Sequence, residues 1–257
     1  MSKQQNSIIQ WFDDRFPLLS TWRAHLSEYY APKNFNFWYY FGSLAVLVLV
    51  NQLITGIFLT MSYKPDASMA FASVEYIMRD VDYGWLIRYM HSTGASMFFV
   101  VVYLHMFRGM MYGSYRKPRE LLWLIGMFIF FILMSLAFTG YILPWGQMSY
   151  WGAQVIVSMF GAIPYIGDTL SQMILGDFTL SDAALNRFFA YHVVTLPLLL
   201  LVLVFVHIVA LHEVGSNNPD GIEIKSNLDP KTSTPVDGIP FHPYYSVKDI
   251  FGVVAFL

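Results

Sequence analysis

Four histidines lie within two long apolar segments and form two regularly spaced pairs. His91 and His105 are 14 residues apart, and His192 and His207 are 15 residues apart. At about 3.6 residues per helical turn, both spacings are about four turns, so each pair shares one helix face with its members about 21–22 Å apart. Because ionisable side chains inside a membrane usually face other protein groups, we expect the two faces to meet. His91 would then lie opposite His192, and His105 opposite His207.

Two stacked pairs of imidazoles suit a metal that needs only two protein ligands at each level. Zinc or copper would need further His, carboxylate or thiolate ligands to complete each site, and the chain has no Cys. Haem supplies four nitrogens of its own and takes two axial ligands. Histidines that only pack or form hydrogen bonds are the alternative without a metal. The spacing favours two non-covalent haems.

Glycines repeat the same period in two other apolar segments. They form two pairs, each 14 residues apart: Gly42 with Gly56, and Gly126 with Gly140. Glycine removes side-chain volume where a helix must approach another group closely. We therefore expect two flat macrocycles to press against these segments, although ordinary helix packing also uses glycine.

Two arginines lie close in sequence to the histidines of the first pair. Arg88 precedes His91 by three residues, and Arg108 follows His105 by three residues. A guanidinium at each position could form charge-assisted hydrogen bonds with haem propionates. The alternative is that both side chains only reach towards the membrane surface.

The composition indicates the class of protein in which these histidines lie. The 257 residues are 56% hydrophobic and only 12% charged, with a mean hydropathy of +0.48 and a net charge of −2. Soluble domains are about 25% charged, so these values exclude disorder, a basic nucleic-acid-binding surface and a small disulfide scaffold. The class that remains is an all-α integral membrane protein.

Charge-free runs predict four membrane spans. A span needs roughly 20 mainly apolar residues, and we assign span A to about 38–61, B to 86–107, C to 121–142 and D to 188–211. The predicted fold is a four-transmembrane-helix bundle (34–212) enclosing two haems. The sequence Pro144-Trp145-Gly146 ends span C, and residues 147–175 are expected to form short interfacial helices.

Polar segments flank the four spans. Residues 1–33 alternate aromatic and charged residues, as in Trp11, Arg15, Trp22 and Arg23, which predicts an amphipathic arm. Residues 213–257 are expected to form a polar loop followed by an incomplete apolar segment. Basic residues concentrate in the arm and in the loop after span B, so both are expected on the cytoplasmic side, or in the matrix of a mitochondrion.

Five motifs link these features to a known family. They are GWLIRYMH at 84–91, GYILPWGQM at 140–148, NRFFAYH at 186–192, LHEVGSNNP at 211–219 and HPYY at 242–245. Together they make nearly the whole chain resemble cytochrome b of the respiratory quinol–cytochrome c reductase (bc1) complex. The absence of Cys argues against the related b6f branch, whose haem subunit carries a Cys for a third haem.

The resemblance implies a role for each group of candidate residues. Haem bL would bind His91 and His192 near the outer face, and haem bH would bind His105 and His207 near the inner face. Gln52 is a further cofactor-binding candidate. Electrons from quinol oxidised at the outer face would pass through both haems to a quinone at the inner face, with proton translocation.

The resemblance also implies two quinone sites. The outer site would be lined by Tyr141, Gly152 and the helix after Trp151. The inner site matches four residues: His212, Ser216, Lys248 and Asp249. His212 and Asp249 would supply protons to the reduced quinone, whereas a solvated loop end is the alternative for Lys248.

Three departures from the family pattern stand out. The spacing of 15 in span D resembles the b6f branch and some bacterial relatives, and Pro197 is expected to kink the helix and absorb the extra residue. Tyr39-Tyr40 stands where the family usually has Trp-Asn, which puts an inner-site contact in doubt. The family's further spans and its Pro-Glu-Trp-Tyr motif are not in this sequence, so the outer quinol site is expected to be incomplete in this chain.

The resemblance implies a setting in the bacterial inner membrane rather than the mitochondrial one. The expected partners are the Rieske iron–sulfur protein, cytochrome c1, further spans of cytochrome b and membrane lipid, in a complex expected to be dimeric. Nucleic acid is not expected. Two alternatives stay open: another di-haem quinone-linked subunit, and a transport or structural protein whose histidines relay protons.

Overall fold

The computed structural model describes residues 7–17 and 29–257. Its α-helices are α1 (Ser7–Asp13), α2 (Tyr40–Thr60), α3 (Ala70–Arg79), α4 (Gly84–Met111), α5 (Glu120–Ile142), α6 (Gln147–Gly161), α7 (Gly167–Leu175), α8 (Asp182–Ala190), α9 (Leu196–Val214) and α10 (Tyr244–Phe256). Short 3₁₀ turns occupy Phe37–Tyr39 and Ile224–Ser226, and two short strands are β1 (Tyr30–Pro32) and β2 (Gly238–Pro240).

Four helical segments in the described part of the chain are long and apolar enough to cross a membrane. They are Phe37–Thr60, Gly84–Met111, Glu120–Ile142 and Asp182–Val214. The four predicted spans are therefore confirmed. Spans B and D are longer than predicted because their helices continue into polar sequence. In span D the additional segment is α8, an amphipathic helix that precedes the apolar part of the span.

A π-helical turn joins α8 to α9 at Tyr191–Thr195, and it contains His192. The N–H of Leu196 bonds to the carbonyl of Tyr191, five residues earlier. Pro197 follows and has no N–H to continue the ordinary pattern. A π turn accommodates one extra residue within a helix, which gives a physical basis for the spacing of 15 between His192 and His207.

The chain turns sharply after α5, as the Pro144-Trp145-Gly146 sequence predicts. Trp145 has a positive φ of 54°, and Gly146 is extended immediately before α6. Residues 147–175 form two short helices, α6 and α7, rather than a fifth span. The interfacial position expected for these short helices stays a prediction.

One compact unit comprises Ala45–Tyr103 and Leu121–Ile208. Its buried core joins α3, the end of α5, α6, α7 and α8 through small and aliphatic side chains: Ala70, Ile142, Ala153, Val157, Leu175, Leu180, Ala184, Leu185 and Phe188. Small residues such as Ala153 and Ala184 let the short helices approach closely. The same unit contains His91, His192 and His207.

The other unit comprises Met1–Leu44, Leu104–Glu120 and Val209–Leu257. In it β1 and β2 pair antiparallel, with Ala31 opposite Ile239. A salt bridge of 2.6 Å joins Lys33 to Asp237, and this hydrogen-bonded partner lowers the pKa of Asp237. Tyr245 donates a hydrogen bond to the carbonyl of Pro32, and burial raises its pKa to about 12.

The polar loop after α9 is fixed by an ion pair between a buried arginine and a partly exposed glutamate in this second unit. Arg119 donates two hydrogen bonds to the carboxylate of Glu223, at 2.6 and 2.8 Å, and a third to the carbonyl of Gly215 at 2.9 Å. Only 5% of the Arg119 side chain is exposed. Lys225 donates to the last carbonyls of α9, at His212 and Glu213, as a cation at a helix C-terminus does favourably.

The predicted amphipathic arm is only partly described. Trp11 and Arg15 belong to the described segment, where the Arg15 guanidinium lies 4.2 Å from the Trp11 ring centre. Trp22 and Arg23 lie outside the described residues. The proposed division of the chain at residues 33 and 212 stays a prediction.

Candidate functional site

Two predicted ligands, His91 and His192, lie opposite each other. Their ring centroids are 6.1 Å apart and their planes are nearly perpendicular, at 82°. His91 is in α4, and His192 is in the π turn before α9. Residues more than 100 positions apart in the chain thus meet at one level, as the spacing argument predicts.

The separation of the two rings matches two axial ligands of one metal ion. A metal–imidazole bond of about 2 Å on each side, plus about 1 Å from each nitrogen to its ring centre, puts the centroids about 6 Å apart. Among the described residues, no third His, Cys, Asp or Glu lies close enough to complete a metal-binding cluster. The residues therefore fit a haem iron, which brings its four remaining ligands with it.

A threonine hydroxyl determines which ring nitrogen of His91 carries the proton. Thr55 Oγ1 lies 2.9 Å from Nδ1 of His91 and donates its own proton to the carbonyl of Asn51 at 2.6 Å. Since that proton is already used, the His91 bond is one in which Nδ1–H donates to Thr55. The lone pair of the ring is then on Nε2, where a metal would bind.

A backbone carbonyl determines the tautomer of His192 in the same way. Nδ1 of His192 lies 2.9 Å from the carbonyl oxygen of Leu136, which can only accept. Thr139 Oγ1 is farther, at 3.5 Å, and donates to the carbonyl of Ser135. Both rings therefore present Nε2 as the metal-binding atom, with the other nitrogen bonded to protein as metal-bound histidines usually are.

The glycines of this unit lie beside the histidine rings, and the macrocycle that their spacing predicts against these segments stays a prediction. A Cβ atom on Gly56 would lie 3.2 Å from Cε1 of His91, and one on Gly140 would lie 2.9 Å from Nδ1 of His192. On Gly126 it would lie 3.3 Å from Cε1 of His207. A side chain at any of these positions would crowd an imidazole.

Gln52 acts on the backbone beside His91. Its Nε2 atom donates to the His91 carbonyl at 3.0 Å, while Asn51 donates to the Met90 carbonyl at 3.1 Å. Gly94 lacks a side chain where these two amides approach α4. The pair holds the helix that carries His91, and a cofactor contact of Gln52 stays a prediction.

His105 has a matching environment in the other compact unit. A Cβ on Gly42 would lie 3.5 Å from its Cε1 atom, and Nη2 of Arg108 lies 3.4 Å from its Nδ1. The Arg108 guanidinium also lies over the ring of Tyr39 at 4.7 Å. Because His207 belongs to the first unit, the pairing of His105 with His207 stays a prediction.

The candidate outer-site residues lie together where α5 ends and α6 begins. A Cβ on Gly152 would lie 3.2 Å from Cε1 of Tyr141. Nearby, a cavity of about 280 Å³ is lined by the turn and the first residues of α6: Trp145, Gly146, Gln147, Tyr150 and Trp151. The cavity has room for a small ring and a mixed aromatic and polar lining.

Among the inner-site candidates, Asp249 is partly buried and receives a hydrogen bond from Ser43 at 2.9 Å. Burial raises its pKa, and the Ser43 bond partly offsets that effect. Lys248, one residue earlier, lies over the Tyr244 ring with its ammonium 4.3 Å from the ring centre. Sequence reasoning did not identify Ser43, although it lies beside Gly42.

Tyr29 links the other two inner-site candidates. Its ring centre is 4.7 Å from that of His212, and its hydroxyl is 3.5 Å from Ser216 Oγ. The unusual Tyr40 lies against Gly252 of α10, where a Cβ would come within 2.8 Å of the ring. The Tyr39-Tyr40 departure is thus accommodated by stacking on Arg108 and by a glycine on the facing helix.

Comparison with known proteins identifies the family. A family model described as cytochrome b/b6/petB matches residues 26–215. Cytochrome b of Allochromatium vinosum is 68% identical, covering 100% of this chain and 63% of that protein. Cytochrome b of Rhodospirillum rubrum is 52% identical, covering 98% of this chain and 60% of that protein.

A solved structure titled "Hyperthermophilic respiratory Complex III" has the same fold. It matches with a TM-score of 0.85 and 38% identity, over 96% of this chain and 64% of that chain. The chain spans about three-fifths of the length of the curated relatives it matches. With four helices able to cross a membrane, it is an integral membrane protein, and it belongs to the cytochrome b family.

Proposed function

We propose that this chain is the di-haem electron-transfer portion of a quinol–cytochrome c reductase. The observation that carries the proposal is the pair of facing imidazoles, His91 and His192, 6.1 Å apart with both Nδ1 atoms bonded to protein. They would hold haem bL. His105 and His207 would hold haem bH, each beside a glycine on a neighbouring segment of its own unit.

Haem bound at these histidines would supply reversible one-electron transfer at its iron. The chain's own residues would bind the iron through imidazole nitrogens, keep side chains away from the ring and neutralise the propionates. Arg108 suits the last role because it is largely buried and its Nε atom has no hydrogen-bond partner among the described residues. Arg88 is partly buried and is proposed to serve the other haem.

Protons at the inner site would come from His212 and Asp249. Asp249 is suited to this because burial favours its protonated form and raises the pKa of the carboxyl above its usual value. Ser216 and Lys248 would bind the quinone itself. A His212→Asn variant is expected to slow quinone reduction at this site. An unchanged rate would show that His212 does not supply a proton to the quinone.

The outer quinol site would include Tyr141, Gly152 and the aromatic cavity after α5. Oxidation at one face and reduction at the other would separate protons across the membrane. The proposed orientation places the N-terminus in the cytoplasm of a bacterium. The Rieske protein, cytochrome c1 and a second copy of the complex are the proposed partners.

The test is quinol–cytochrome c reductase activity of the purified parent complex, with an inhibitor of each quinone site. We expect quinol-dependent reduction of cytochrome c that either inhibitor blocks. Haem without this activity would favour another di-haem quinone-linked subunit. Absence of both haem and activity would favour the proton-relay alternative.

A further inference from the structure

Thr55 and Thr139 occupy equivalent places, each immediately before a glycine that faces a histidine ring. Both hydroxyls donate to the carbonyl four residues earlier in their helix, and both are almost fully buried, with 3% and 4% exposed. A buried threonine hydroxyl that bonds back to its own helix has one proton and retains lone pairs that can accept.

The two threonines differ in how closely they approach the histidine. Thr55 Oγ1 is 2.9 Å from Nδ1 of His91, whereas Thr139 Oγ1 is 3.5 Å from Nδ1 of His192. His192 has a better acceptor, the Leu136 carbonyl at 2.9 Å. The two facing imidazoles therefore use different kinds of acceptor, a side-chain hydroxyl on one side and a backbone carbonyl on the other.

We propose that Thr55 is a positioning residue for His91, an inference that rests on the proposed haem site. By accepting the Nδ1–H bond, Thr55 fixes the tautomer that leaves Nε2 free and orients the ring towards His192. Thr139 has no such role, because removing its hydroxyl leaves the Leu136 carbonyl in place.

The inference predicts a difference between two otherwise similar substitutions. Thr55→Val keeps the shape of the side chain and removes the acceptor, so the His91 Nδ1–H loses its partner. A hydrogen bond at that atom makes the imidazole a stronger electron donor, so its loss destabilises oxidised iron and raises the reduction potential of one haem. Loss of such a supporting bond typically weakens metal binding about 10- to 100-fold.

The experiment uses the full parent complex carrying Thr55→Val, Thr55→Ser or Thr139→Val. Redox titration of the b-type absorption bands gives the two midpoint potentials, and transfer of haem to excess apomyoglobin gives its retention. We expect Thr55→Val to raise one potential and to speed loss of that haem at least about tenfold. Thr55→Ser, which keeps the hydroxyl, and Thr139→Val should both resemble the wild type.

Two results would overturn the inference. One is a Thr55→Val complex with unchanged potentials and haem retention, and the other is an equal effect of Thr139→Val. If Thr55→Val fails to assemble, Thr55→Ala provides the variant without a hydroxyl for the same comparison. A wild-type complex without b-type haem would instead overturn the proposed function itself.

Discussion

Replacing Gly140 by alanine is expected to displace the His192 imidazole while leaving α5 intact. A Cβ atom there would be nearest to Cε1 of His192, closer than the 2.9 Å and 3.0 Å that would separate it from Nδ1 and Nε2. Ordinary contacts between such atoms are about 3.5–4.0 Å, so the ring would have to recede by about 1 Å or more. That movement would also stretch the 2.9 Å bond from His192 to the Leu136 carbonyl.

The clash between the added Cβ atom and the His192 ring sets the expected loss of haem retention. Overpacking by a methyl group costs about 1–3 kcal/mol, which corresponds to roughly 5- to 150-fold weaker retention of a ligand that depends on His192. Alanine favours a helix over glycine by about 1 kcal/mol. The expected result is a folded, membrane-inserted protein that loses one of two haems.

Gly161→Ala, at the end of α6, provides the control. A Cβ at Gly161 would contact only the hydroxyl of Ser171, at 3.3 Å, and would have no histidine within 4 Å. Both variants are measured by pyridine haemochrome per chain and by the amount of protein in the membrane. Full retention of both haems by Gly140→Ala, or an equal loss of haem in Gly161→Ala, would refute the reasoning.

Other predictions concern the second compact unit. Arg119→Gln is expected to lower stability by about 1–3 kcal/mol, because it removes the hydrogen bonds that a buried guanidinium donates to the Glu223 carboxylate and the Gly215 carbonyl. Arg79→Gln, which breaks an exposed pair with Glu75, should cost less than about 1 kcal/mol. Thermal unfolding in detergent compares the two, and equal melting shifts would contradict the difference. Because burial raises the pKa of Asp249 and Ser43 lowers it, inner-site quinone reduction should decline as pH rises through that pKa. The decline should shift to higher pH in Ser43→Ala and disappear in Asp249→Asn; unchanged pH profiles would exclude this proton donor.

The long-range features of the fold could be predicted because the membrane imposes them. A charge-free run must be helical to satisfy its backbone, and helical periodicity then decides which histidines share a face. The meeting of His91 with His192 followed from these two facts. The break at Pro144 and the short helices after it followed from the backbone chemistry of proline and glycine.

The hydrogen bonds that orient the histidines and the pairing of the two short strands could not be predicted in the same way. The bond between Thr55 and His91 depends on the rotation of two helices, which apolar periodicity specifies only coarsely. The repeated Thr-Gly pair at 55–56 and 139–140 was a signal that could have drawn attention to it. The pairing of β1 with β2 joins segments about 200 residues apart, and three-residue strands carry no usable alternation of apolar and polar residues.

The content of b-type haem per chain in the purified parent complex is the decisive measurement for the proposed di-haem site. Two haems are expected, one lost on replacing His91 or His192 and the other lost on replacing His105 or His207. An absence of haem, or a single haem insensitive to two of these histidines, would contradict the di-haem site. Packing or proton relay would then remain as the role of the histidines.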